Sequence, residues 1–122
     1  MDGLSAANIY EYARKYLTDE ELIVLQEELK TASRKRRAYT SNGGSPIENY
    51  ELAANMVSVG DPAIVMLARI AEKVRRVALW FYDQKGEAPL DDLVDISIIS
   101  RLIASRLIKE TCTTEDDHVR SQ

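Results

Sequence analysis

Apolar positions along the chain recur at the three- and four-residue spacing of amphipathic helices, and no segment alternates with a period of two for long enough to be a strand. This pattern predicts an all-α fold, an antiparallel helical bundle of four to five helices. The predicted helices cover residues 5–16, 19–37, 46–59, 62–83 and 90–109. Residues 1–110 should form a single domain, and the polar, aperiodic residues 111–122 should form a flexible tail.

Capping residues mark the predicted helix starts. Thr18 and Glu21 have the spacing of a capping box, in which the threonine oxygen accepts a hydrogen bond from a free backbone N–H and the glutamate reaches back. Asp61 precedes Pro62, which places a proline at the first helical position. The segment 40–46 is rich in glycine, serine and asparagine, so it is predicted to be a loop.

The last two predicted helices along the chain differ in how their apolar residues are distributed. The helix over 62–83 carries one apolar stripe, which is expected to face the core: Ile64, Leu67, Ala71, Val74, Ala78 and Phe81. The helix over 90–109 is apolar around nearly its whole circumference, and such a helix is buried on all sides. In so small a bundle, this predicts that a second copy of the chain covers one side, in a homodimer or a higher homo-oligomer.

Composition narrows the class of protein. The 122 residues include 16 basic and 20 acidic side chains, for a net charge of -4, so extensive binding along nucleic acid is not expected. The single cysteine, Cys112, excludes an internal disulfide and is typical of a reducing compartment. No apolar run reaches the roughly 18 residues of a membrane span. The sequence therefore predicts a cytoplasmic protein that does not bind membranes.

Three aspartates, Asp91, Asp92 and Asp95, open the apolar helix over 90–109. Acidic residues in a first turn are favoured by the helix dipole, which is reason enough for Asp91. Asp95 lies one turn further in, on the same side as Asp92 and among apolar residues. Carboxylates at this spacing can together hold Mg²⁺. The alternative for Asp95 is a salt bridge to Arg76 on the preceding helix.

A basic cluster precedes the predicted glycine-rich loop: Lys30, Arg34, Lys35, Arg36 and Arg37. These side chains could bind phosphates while Tyr39 stacks on a base. The alternative is a solvated helix end whose charges complement the negative end of the helix dipole. The glycine-rich segment 40–46 lacks the glycine and lysine pattern of a P-loop, so it is interpreted only as a connection between helices.

The order and spacing of these motifs resemble the phage-associated "nucleotide modification associated" domain, a relative of the MazG-like all-α nucleotide pyrophosphohydrolases. The matching positions are Lys35 with Tyr39, Asn49 with Tyr50, Glu72 and Lys73 with Arg76, and Asp92 with Asp95. The resemblance covers roughly residues 27–108. In MazG-like enzymes, acids on two consecutive helices hold Mg²⁺, and a nucleoside triphosphate is cleaved to monophosphate and pyrophosphate.

The resemblance implies a role for each matching residue. Glu72, Asp92 and Asp95 would be the catalytic acids and the Mg²⁺ ligands. A nucleoside phosphate would be bound by Lys35, Tyr39, Asn49, Lys73 and Arg76. Because Arg75 stands where a second acid is usual, both hydrolysis and nucleotide binding without turnover stay open. The alternative function is a non-enzymatic helical interaction protein whose charged residues form structural salt bridges.

Overall fold

The structure is a computed structural model that describes residues 5–39, 46–58 and 60–121, with the backbone alone described for 38–39 and 112–121. Within these ranges the chain is helical apart from short turns and contains no strand, which confirms the all-α part of the prediction. Its helices are α1 (Ala6–Tyr16), α2 (Asp19–Tyr39), α3 (Glu48–Met56), α4 (Pro62–Asp83) and α5 (Leu90–Ser121). None of the described helices is both long enough and apolar enough to cross a membrane.

The starts of α2 and α4 are capped as predicted. The Thr18 N–H donates to Glu21 Oε1 at 3.2 Å, and the Glu21 N–H donates to Thr18 Oγ1 at 3.1 Å. The carboxylate of Asp61 accepts from the N–H of Ala63 at 3.0 Å, and Pro62 occupies the first turn of α4. These contacts satisfy backbone donors that have no partner within the helix itself.

The third helix begins later than predicted. Pro46 and Ile47 form a turn, and α3 begins at Glu48. Ile47 occupies the N-cap position, where its side chain offers no hydrogen bond, which weakens this start relative to those of α2 and α4. Residues 40–45 of the predicted loop over 40–46 lie outside the described residues.

The last helix is longer than predicted. It continues past 109 to Ser121, through the segment that the sequence predicts to be a flexible tail. No glycine or proline follows Pro89, so the sequence contains none of the strongest helix-ending residues there.

Helix α5 lies against both α2 and α4. The α4 and α5 helices form a hairpin, α3 packs on α4, and α2 packs on α5. Two ion pairs join α2 to α5: Glu28 with Arg101, and Lys35 with Asp95. Because residue numbers rise along α2 as they fall along α5, these two helices run antiparallel.

The single chain buries few apolar side chains. The buried apolar residues of the described chain are Ala54, Met66, Ile98 and Ile99. Other parts of α5 stay accessible, with Leu93 43% and Leu107 58% exposed. The apolar circumference of α5 is therefore only partly covered within one chain, and its burial by a second subunit stays a prediction.

The apolar stripe of the fourth helix does not face the core, so that part of the sequence interpretation is wrong for the single chain. All six residues of this stripe, here named the α4 stripe, are exposed. The face of α4 that packs inward carries Met66 and Lys73 instead, with Ile70 and Val77 half-buried beside them. Periodicity detects an apolar face, but α4 has two, and α5 covers the other one.

The connection between α4 and α5 uses two residues with positive φ. Gln84 ends α4 in the left-handed conformation, at φ 53° and ψ 34°, and its N–H donates to the Trp80 carbonyl at 2.5 Å. Gly86 follows at φ 81°. The indole Nε1 of Trp80 donates to the Gly86 carbonyl at 3.3 Å, which holds the turn against the end of α4.

Replacing Gln84 with glycine should raise the free energy of unfolding by about 0.5–1 kcal/mol, because glycine adopts the left-handed conformation without a Cβ penalty. Replacing Gly86 with alanine should lower it by about 1 kcal/mol. No atom lies within 4 Å of a Cβ added at Gly86, so this cost is conformational rather than steric. Urea denaturation measures both changes, and equal stability of all three chains would contradict the prediction.

Candidate functional site

Lys73 lies in the middle of α4 and is 4% exposed. It is on the same face as Met66, so the packing of α4 on α5 carries its side chain inward. The ammonium donates to Asp95 Oδ2 at 2.8 Å and lies 3.5 Å from Asp92 Oδ1. Burying an ammonium costs several kcal/mol unless it is paired, and these two carboxylates provide the pairing.

Asp95 accepts hydrogen bonds from lysines on two different helices. Its Oδ1 lies 2.5 Å from Lys35 Nζ of α2, and its Oδ2 accepts from Lys73 of α4. Burial raises the pKa of the Asp95 carboxyl, but the hydrogen bonds and charges of the two lysines outweigh burial, and the pKa lies below its ordinary value of 3.8. Asp95 is therefore ionised at neutral pH and joins α2, α4 and α5.

The other two predicted acids, Asp92 and Glu72, each pair with an arginine of α4. Asp92 Oδ1 accepts from Arg76 at 3.0 Å, so Arg76 pairs with Asp92 rather than with Asp95. Glu72 accepts from Arg69 at 2.7 Å on an exposed part of α4. The ion pairs of Asp92 and Asp95 with Lys35, Lys73 and Arg76 are named the ion-pair cluster below.

A pocket of about 590 Å³ opens beside the ion-pair cluster, between α2, α3, α4 and α5. This volume is within the range of small-molecule binding sites. The cations on its wall are Lys35, Arg36, Arg69, Lys73 and Arg101, and the carboxylates are Glu72 and Asp95. Apolar side chains, including Val65, Ile98 and Leu102, complete the wall. This pocket, named the site pocket below, therefore has more cationic than anionic side chains on its wall, together with apolar ones.

Helix α3 contributes Asn49 and Tyr50 to the wall of the site pocket. Burial raises the pKa of the Tyr50 phenol, the charge of Arg69 opposes that rise, and the charge of Asp95 adds to it. The phenol is therefore neutral at physiological pH. A half-buried aromatic ring next to cations provides a planar surface on which a base can stack.

The structure brings most of the predicted site residues together. Those on the wall of the site pocket are Lys35, Asn49, Glu72, Lys73 and Asp95. Asp92 and Arg76 belong to the adjacent ion-pair cluster rather than to the wall. The side chain of Tyr39 lies outside the described residues.

Besides Arg36, which belongs to the predicted basic cluster, two cations on the wall were not among the predicted ligands. Arg69 precedes Lys73 by one turn of α4, so helical spacing alone was enough to suggest it. Arg101 reaches the pocket because it pairs with Glu28 of α2, and this long-range contact leaves no local signal in the sequence.

The predicted Mg²⁺ ligands do not fit a magnesium ion in this arrangement. Both oxygens of Asp95 face ammonium groups, Asp92 accepts from Arg76, and Glu72 is paired with Arg69. Magnesium requires oxygens in octahedral positions at about 2.0–2.1 Å, and here cations already occupy the space around the carboxylates. In the described part of the chain, no group of three histidine, cysteine or acidic side chains could hold a metal. On the wall of the pocket the cationic side chains outnumber the carboxylates.

Comparison with known proteins does not assign this site. The chain matches no family model, and no curated protein or solved structure is significantly similar to it. The function is therefore argued from the side chains of the site pocket and the ion-pair cluster.

Proposed function

We propose that this chain binds a nucleoside phosphate in the site pocket. The observation that carries the proposal is the excess of cations next to a half-buried tyrosine on the wall of a pocket of about 590 Å³. Phosphate oxygens prefer charge-assisted hydrogen bonds from lysine and arginine, and bases prefer aromatic faces. The order of motifs that resembles nucleotide modification associated domains supports the same class of ligand.

The cations keep donors for a phosphate although they are ion-paired. An ammonium group has three N–H donors and a guanidinium has five. The side chains of Lys35 and Arg69 are 38% and 47% exposed on the wall, so both can reach a ligand. Lys73 is buried beneath them, where it supplies positive charge and holds Asp95 in place. In this arrangement Tyr50 contacts the base.

Isothermal titration calorimetry with nucleosides and their mono-, di- and triphosphates tests this proposal. Binding should require the phosphate group. Replacing Arg69 with glutamine should weaken it about tenfold to a hundredfold, because one charge-assisted hydrogen bond contributes about 1.5–3 kcal/mol. The stability of this variant should change little, since the pair of Arg69 with Glu72 is exposed.

Arg75 provides the matched control, because it is an exposed arginine on the same helix and is not on the pocket wall. Arg75→Gln should leave nucleotide affinity unchanged. Failure of every nucleotide to bind at millimolar concentration would reject the proposal, as would binding that Arg69→Gln leaves intact.

Turnover is tested in the same titration, carried out with and without Mg²⁺. The resemblance implies cleavage of a nucleoside triphosphate to monophosphate and pyrophosphate, whereas the pairing of Asp95 with two lysines favours binding without turnover. Chromatography of the titrated sample distinguishes the two outcomes. Pyrophosphate formed only with Mg²⁺ would make the chain a hydrolase, and intact triphosphate would leave it a binding protein.

A second candidate function is a non-enzymatic helical interaction protein. The observation that favours it is the ion-pair cluster itself, which joins α2, α4 and α5 and so has a structural role without any ligand. Complete absence of nucleotide binding, together with loss of stability when Asp95 is replaced, would favour this function.

A further inference from the structure

The α4 stripe is an apolar surface that stays exposed in the described chain. Its large residues, Ile64, Leu67, Val74 and Phe81, are between 49% and 64% exposed. The six residues of the stripe follow one another at alternating spacings of three and four, which is the spacing of a and d positions in a heptad. Such a seam is typical of a helix that packs along a second helix.

The stripe lies on a different side of α4 from the site pocket. At 100° per residue, the stripe is centred well away from Lys73, which faces α5, and on the opposite flank from Val65, Arg69 and Glu72 of the pocket wall. A partner packed on the stripe would therefore leave the site pocket accessible.

The described part of the chain leaves much apolar surface uncovered. Twenty large hydrophobic side chains of the described residues are exposed, whereas the buried hydrophobic residues there are Ala54, Met66, Ile98 and Ile99. An interface that covers part of this surface removes apolar area from water, which favours association. An obligate homodimer commonly has no stable folded monomer, which agrees with the small core of this chain.

We propose that the α4 stripe is the interface between two copies of this chain, with their α4 helices antiparallel about a twofold axis between positions 72 and 73. A twofold interface uses the same patch on both subunits, so the stripe must match itself. In this register the facing residues are Ile64 with Phe81, Leu67 with Ala78, and Ala71 with Val74.

The distribution of large and small residues favours antiparallel helices. In the antiparallel register, both alanines of the stripe face larger residues, so no layer consists of two alanines or of two phenylalanines. Parallel helices would place Ala71 and Ala78 against their own copies and Phe81 against another Phe81. That arrangement alternates gaps with overfilled layers, and both are unfavourable in a close-packed interface. This inference goes beyond nucleotide binding, and either can fail alone.

Oligomeric state is the first test. The unmodified chain should sediment as a dimer at micromolar concentration, and Val74→Glu should convert it to a monomer because a charge would be buried in the interface. Leu79→Glu is the matched control, since Leu79 lies on the same helix, outside the stripe, and is 51% exposed against 49% for Val74. This control should remain a dimer.

Disulfide cross-linking tests the antiparallel register of the two α4 helices. The chains used for it carry Cys112→Ser, so that the introduced cysteine is the only one in each chain. Ile64→Cys and Phe81→Cys chains, co-expressed with different tags, should form a disulfide between the two chains. Neither variant should cross-link with itself, because positions 64 and 81 are about 26 Å apart along a helix, and antiparallel pairing separates identical positions by that distance.

Several results would overturn the proposal. These are a monomeric unmodified chain, a dimer that survives Val74→Glu, a dimer lost equally in Leu79→Glu, and cross-linking of each cysteine variant only with itself. If the unmodified chain is monomeric, α1 becomes the alternative cover for the stripe, since this amphipathic helix has no buried residue of its own.

Discussion

Replacing Lys73 with methionine should lower the free energy of unfolding by about 3 kcal/mol, the scale expected when one partner is removed from a buried ion pair. The ammonium of Lys73 lies between Asp92 and Asp95, whose side chains are only 20% and 13% exposed. Without the ammonium, the largely buried carboxylates of Asp92 and Asp95 lose the cation that they share. Methionine has a similar length and helix propensity, so the loss reports the charge rather than a cavity or a weakened helix.

Urea denaturation followed by circular dichroism at pH 7 measures this change. All chains must be compared at one concentration, because the stability of an oligomer depends on concentration. Lys30→Met is the control: Lys30 is 64% exposed on α2, its 3.5 Å pair with Glu27 is a surface pair, and the change should stay within about 0.5 kcal/mol. Equal losses in the two variants would show that Lys73 contributes no more than a surface lysine.

Local interactions explain why parts of the fold are predictable from sequence. Thr18 and Glu21 are three residues apart, and Asp61 caps a helix that begins at the next residue, so neither start depends on distant contacts. The start of α3 has no such side-chain cap, and the structure begins it later than predicted. A helix start can therefore be predicted from the sequence where a nearby side chain accepts a hydrogen bond from a free backbone N–H group.

Tertiary contacts decide which face of α4 is buried, and these contacts could not be predicted from the sequence. The apolar periodicity of α4 identifies the stripe through Leu67 and Val74 as an apolar face, but periodicity does not say what packs against it. In the structure, α5 covers the face through Met66 and Lys73 instead. A buried lysine on that face lowers its apparent hydrophobicity, and this is why the other face looked like the core.

In the candidate site, too, local features were predictable from the sequence and long-range partners were not. Helical spacing placed Asp92 and Asp95 on one side of α5, and that placement is confirmed by their shared contact with Lys73. Their partners could not be derived from spacing, because Lys35 lies 60 residues from Asp95 along the chain. Interpreting the aspartates as metal ligands or as ion-pair partners depends on which cations the fold brings to them.

Replacing Asp95 with asparagine should lower the free energy of unfolding by about 2–3 kcal/mol at pH 7, because it leaves Lys73 buried with only Asp92 as an anionic partner. The pKa of Asp95 in the folded chain lies below its ordinary value of 3.8, so its ionised form stabilises the fold. That stabilisation is fully present above the unfolded pKa of about 3.9 and is lost as the pH falls through the folded pKa.

The difference in stability between the unmodified chain and Asp95→Asn should therefore be constant from pH 7 to about pH 5 and shrink below about pH 4. Thermal or urea denaturation across this range measures it. Asp91→Asn is the control, since Asp91 is an exposed aspartate in the first turn of the same helix and its loss should cost less than about 1 kcal/mol. The opposite outcome is a higher melting temperature in Asp95→Asn. It would mean that Asp95 and its neighbouring carboxylates repel one another, as expected of a site that holds Mg²⁺, and that the lysine pairs of Asp95 do not stabilise the fold.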